Sequence, residues 1–190
     1  AWRIGDDAAA VLQPDGGFLR PEACILAHAA RARESGAQVH EGETLRQWET
    51  TPGGVRVRTN LGVYEAAQLV LTAGAWTGAL LPGLASVMQP ERQVLGWFGV
   101  TDHAAFAPSR FPVFVHDAVE GRYYGFPEFE TPGFKIGRYH HRGEPTMPDT
   151  LDRACHPEDE AALRAAVTRY FPGADGPLLR SAVCMFTNTP

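Results

Sequence analysis

The stretch from Gly121 to His141, GRYYGFPEFETPGFKIGRYHH, decides how the rest of the chain is read. Tyr123, Tyr124 and Phe126 suit a strand, as do Phe134 and Ile136. Between them Pro127, Thr131, Pro132 and Gly133 supply turn chemistry, so the stretch predicts a β-hairpin. Lys135 stands between two large apolar residues with no carboxylate beside it in sequence. Alternation sends its side chain to the face opposite Phe134 and Ile136. From the residues alone two readings stay open. The ammonium is solvated on an ordinary half-exposed strand, or it is held over a cavity where low polarity lowers its pKa.

Outward from the hairpin, residues 92–100 and 112–116 read as further strands and residues 180–187 as a last one. Aromatic-rich strands in succession, without helices between them, predict an antiparallel sheet. Residues 157–170 predict a helix. Pro157 opens it, Glu158, Asp159 and Glu160 fill its first turn, and Leu163, Val167 and Tyr170 share one stripe. The first part of the chain has a different texture. A helix is expected from Pro21 to Ser35-Gly36, with Ile25, Ala29 and Ala32 on one stripe, then a strand at 37–40. A meander over 45–49, 54–59 and 62–65 follows, and Leu69-Val70-Leu71 reads as a strand covered on both faces. Ala73-Gly74-Ala75 at its end allows close approach of a ligand or simply a tight strand-to-helix turn. The fold class expected is therefore mixed α/β and α+β.

The 190 residues suffice for one good core, and 44% hydrophobic with 21% charged residues is ordinary globular composition. A net charge of −5 and no Lys/Arg cluster argue against a nucleic-acid surface. No apolar run approaches the roughly 20 residues that span a bilayer. Cys24, Cys155 and Cys184 form neither a disulfide framework nor a zinc pattern, which fits a reducing cytoplasm. His140, His141, Cys155 and His156 lack metal-ligand spacing, so no metal site is expected. No Gly-x-Ser-x-Gly elbow suggests a hydrolase.

Three segments taken together resemble the monomeric sarcosine oxidase and N-methyltryptophan oxidase family, flavin-dependent amine oxidases of the D-amino-acid-oxidase-like group. They are Val70 to Trp76 followed by Leu80-Leu81, Tyr123 to Pro127 with Lys135-Ile136-Gly137 following Tyr124, and Ala182 to Phe186. Gln89 to Val94 and the helix opening at Pro157 are similar as well. The resemblance implies FAD, joined covalently through the cysteine matching Cys184. It implies that the lysine matching Lys135 lies beside the flavin and promotes reaction with O₂, since a fixed ammonium in a dry site favours negative charge developing on oxygen. It also implies a substrate pocket at Tyr124 and Phe186, the latter standing where sarcosine enzymes carry tyrosine, and cofactor contacts from Ala73, Gly74, Trp76 and Met185. The family has a histidine close after the lysine. Here Arg138-Tyr139 intervene, and of His140 and His141 the first is taken.

The family's Gly-x-Gly-x-x-Gly phosphate turn is absent from the sequence. The expectation is an internal piece of an oxidase: 1–85 as part of a Rossmann-like FAD-binding domain, 86–180 as an antiparallel substrate domain with packed helices, and 181–190 as a return strand. The expected activity is oxidation of a secondary amine of an N-methyl amino acid, with O₂ giving H₂O₂. Its partners would be a small amine and O₂, with no nucleic acid and no membrane, in a cytoplasmic monomer when full length. The alternative is a non-catalytic piece that folds without FAD.

Overall fold

The computed structural model describes residues 1–6 and 8–190. In chain order it forms α1 (Pro21–Glu34), β1 (Leu45–Thr51), β2 (Gly54–Thr59), β3 (Val63–Ala66), α2 (Thr77–Leu80) and β4 (Gln89–Phe98). After these come β5 (Phe114–Ala118), β6 (Gly121–Phe126), β7 (Phe134–Arg138), α3 (Pro157–Tyr170) and β8 (Leu178–Asn188). The described residues divide into two units, Ala1–Gly17 with Gly74–Pro190, and Phe18–Ala73.

In the larger unit the expected hairpin forms from β6 and β7, in the order β5-β6-β7-β4-β8. Every registered pairing is antiparallel. Glu128 closes the hairpin's turn by accepting the Gly133 backbone N–H at 2.7 Å. One face of the sheet is its core. Phe98, Phe134 and Ile136 are wholly buried there and Tyr123 nearly so, against Leu163 and Val167 of α3 and the rings of Phe106, Phe111 and Phe171. Gly96 lets α3 come close: a Cβ there would lie 2.8 Å from the Phe98 ring and 3.2 Å from Leu163 Cδ1. Trp2 stacks on Phe111 at 4.9 Å, and the Arg3 N–H donates to the Tyr170 carbonyl, so the first residues join this core.

A buried ionic group fastens α3 to β4. Arg92, 5% exposed, donates through both terminal nitrogens to the Asp159 carboxylate at 2.9 and 2.8 Å. Asp159 also accepts the His156 backbone N–H, capping α3, and pairs with buried His141 at 2.9 Å. Burial opposes the charge on Asp159, but Arg92 and these other donors outweigh it and hold the carboxyl well below the usual range. Burial likewise pushes the His141 imidazole down, against the pull of Asp159.

The smaller unit holds α1 and the meander β1-β2-β3, with turns where the sequence predicts them. None of its residues is buried. Ile25 and Leu26 of α1 are 67% and 71% exposed. Two expected strands, at 37–40 and 69–71, are absent, and Val70 is 81% exposed. A covered strand needs neighbours to pair its backbone and shield its side chains. The strands of both sheets pair among themselves, and none flanks either segment.

Candidate functional site

Register fixes which side chains share the sheet's second face. Lys135 sits opposite Phe126 on β6 and Trp97 on β4. Gly137 sits opposite Tyr124 and Leu95, and Gln93 opposite Cys184 of β8. With the core-facing residues alternating between them, Tyr124, Phe126, Lys135, Trp97, Leu95, Gln93, Cys184 and Phe186 all lie away from α3. The alternation that buries Phe134 and Ile136 thus puts Lys135 on the opposite side, as expected.

On this face the Lys135 ammonium lies over two rings, 4.7 Å from the centre of Phe126 and 5.0 Å from that of Trp97. Burial pushes the Cys184 thiol up, and the nearby Lys135 charge partly opposes this. Burial also raises the Tyr124 hydroxyl, with Cys184 and Tyr139 adding to it. Tyr124 lies across Gly137. A Cβ at 137 would come within 2.6 Å of the Tyr124 ring carbon Cζ and its hydroxyl, so only glycine leaves this path open. Gln93 is fully buried; its Nε2 donates to Glu91 at 2.6 Å while its Oε1 has no partner. A half-buried aromatic surface with a cation, a thiol and an orphaned acceptor suits a planar group that has polar edges. These residues fit a flavin ring on the observation of that orphaned oxygen beside Cys184.

The sequence-derived site residues are only partly brought together. Lys135, Tyr124, Cys184 and Phe186 share the face. Met185 pairs with Arg92 in register and therefore projects to the α3 side, opposite Cys184. His140 pairs through Nδ1 with the accepting Glu91 carboxylate, 3.2 Å away, whereas His141 turns inward to Asp159. Gly74 and Trp76 form a 3-10 turn alongside β8, and the Trp76 indole N–H donates to Asp149 at 2.8 Å. Ala73 is the last residue of the smaller unit. Sequence reasoning missed Gln93, Trp97 and Tyr139. The signal was available, since β4 alternates and 135, 137 and 139 share one parity. A cleft of about 540 Å³ lies at the β5–β6 turn, lined by Asp117, Arg122, Arg138, Tyr139 and His140. Among the described residues no three His, Cys, Asp or Glu side chains are grouped to hold a metal ion. No helix among them is long and apolar enough to cross a membrane.

The chain belongs to the family of FAD dependent oxidoreductases, whose model matches residues 2–190. Within it the chain is 39% identical to monomeric sarcosine oxidase of Bacillus sp. (strain NS-129), over 98% of this chain and 49% of that protein. It is 32% identical to N-methyl-L-tryptophan oxidase of Salmonella newport (strain SL254), over 99% of this chain and 50% of that one. The chain thus spans about half the length of these curated relatives. Its fold is similar to fructosyl peptide oxidase from Aspergillus nidulans, at a TM-score of 0.72 and 22% identity, over 92% of this chain and 46% of that one. It is also similar to NikD, an amino acid oxidase of nikkomycin biosynthesis, at 0.65 and 19%, over 86% and 43%.

Proposed function

We propose that this chain supplies the substrate-side face of an FAD-dependent oxidase acting on a secondary amine of an N-methyl amino acid, of sarcosine or N-methyltryptophan type. The observation that carries the reading is that Lys135, Cys184 and Tyr124 meet on one aromatic face of a sheet whose other face is core. Residues 1–85 act as part of the FAD-binding portion, 86–180 as the substrate portion and 181–190 as the return strand. Bound FAD supplies hydride acceptance from the carbon beside the amine nitrogen and subsequent reduction of O₂ to H₂O₂.

The chain's own residues position and polarise. Lys135, held over Phe126 and Trp97, places a positive charge where negative charge develops on O₂; in an aromatic, half-buried setting that charge acts more strongly than in water. Cys184 is the point of covalent attachment; burial raises its thiol, and the Lys135 ammonium partly offsets this in favour of the thiolate. Tyr124 and Phe186 form the apolar wall for the amine, and His140, bound to Glu91, stands at its border. Gly74 and Trp76 approach the cofactor from the turn beside β8. The protein acts as a cytoplasmic monomer.

Lys135→Met tests the reading. In the FAD-loaded full-length protein, anaerobic reduction by amine should stay near the parent rate while reoxidation by O₂ slows about 10²–10³-fold. Equal slowing of both half-reactions would sink the assigned role. Separately, flavin absorbance should stay with the denatured chain and be released from it in Cys184→Ala.

A further inference from the structure

We propose that Tyr139 sets the size of amine side chain that this face accepts; the inference rests on the oxidase reading above. Tyr139 follows the last residue of β7 and is still held on the ladder, its N–H donating to the Arg122 carbonyl at 2.8 Å. The next two residues leave the strand abruptly. His140 and His141 both have left-handed backbones, with φ of 59° and 32°. One turns to Glu91 and the other into the core at Asp159. Tyr139 is thereby the last side chain that β7 offers to the aromatic face, and anchors on both sides fix where it starts.

Its ring bridges the two proposed substrate-wall residues. It meets Tyr124 edge-on with centres 5.0 Å apart and Phe186 at 5.9 Å. Tyr124 itself lies across Gly137, in the space that a Cβ at 137 would fill. Tyr139 is 37% exposed and also lines the cleft at the β5–β6 turn. A ring set between these two walls acts as a stop. By filling the space between Tyr124 and Phe186 it limits the side chain that fits there, and its bulk, rather than its hydroxyl, does so.

The test uses the full-length, FAD-loaded protein. kcat and KM are measured for N-methyl-L-tryptophan and sarcosine, and Kd for the non-reacting carboxylates indole-3-acetate and acetate from the change in flavin absorbance. Tyr139→Ala should raise the preference for the indole compound in each pair by about tenfold or more, chiefly through KM and Kd. Tyr139→Trp should lower it, and Tyr139→Phe should leave it within about twofold of the parent. If Ala and Trp both leave the preference unmoved, or if Phe shifts it as far as Ala, the inference is overturned. Should Tyr139→Ala fail to load FAD, Tyr139→Trp and Tyr139→Phe decide. A parent that loads FAD but oxidises neither amine overturns the oxidase reading instead, and the two Kd values still judge Tyr139.

Discussion

The five-stranded sheet and the three-stranded meander use the same alternation of apolar and polar residues, yet only the first acquires a core. In β7 the pattern Phe134-Lys135-Ile136 buries both apolar members completely. In β2 the pattern Val55-Arg56-Val57-Arg58 leaves both valines only half buried. The difference is the opposing layer. α3 and the loop rings of Phe106, Phe111 and Phe171 cover one face of the larger sheet. In the smaller unit α1 has no buried residue at all. Alternation decides which way a side chain points; a second layer decides whether pointing there stabilises anything.

The contrast can be broken most sharply at Arg92. Arg92→Ala would leave Asp159 charged and buried without its fork, at a cost of about 3–5 kcal/mol, read as loss of the larger unit's urea transition. Phe134→Ala should remove about 3–5 kcal/mol from the same transition, because its ring touches Phe106, Phe111, Phe114 and Phe171. Gly137→Ala should cost about 1–3 kcal/mol, and it should also shift Tyr124, read as altered near-ultraviolet dichroism. At the small end, Ile25→Ala on exposed α1 should change stability by less than about 0.5 kcal/mol. A large loss there would show that α1 is covered after all.

Acid should sharpen the same comparison. His141 is held below its ordinary value of 6.5 by burial, so the folded state favours the neutral ring. Its contribution is complete above that pH and declines as pH falls from 6.5 toward the folded value. Asp159, also depressed, contributes above about pH 4, and that contribution is lost as pH falls further toward its own folded value. The larger unit's urea midpoint should therefore be flat above neutrality, decline below about pH 6.5 and fall more steeply below about pH 4. The Ile25 helix carries no such buried group, so its helical signal should not follow that curve.

Much of this was legible in the sequence because it is local. The 121–141 hairpin, the helix at Pro157 with its acidic first turn, and the facing of Lys135 follow from period and turn chemistry. The strand expected at 69–71 failed because a covered strand depends on neighbours that sequence period cannot supply. His141 was indistinguishable from His140 in sequence; two left-handed residues separate them, and no side-chain pattern encodes that. Met185 sits beside Cys184 in sequence and on the other face in space, a consequence alternation could have flagged. Tyr139 was passed over as an interruption, although it keeps the parity of Lys135.

β4 belongs to both sides at once: Arg92, Val94 and Phe98 serve the helix, while Gln93, Leu95 and Trp97 serve the aromatic face. Sliding this strand by a single residue would swap the two sets, exposing an arginine fork to the ring site and driving a tryptophan under α3. Mutations that loosen the helix clamp should therefore blunt the chemistry of the ring face as well as weaken the core.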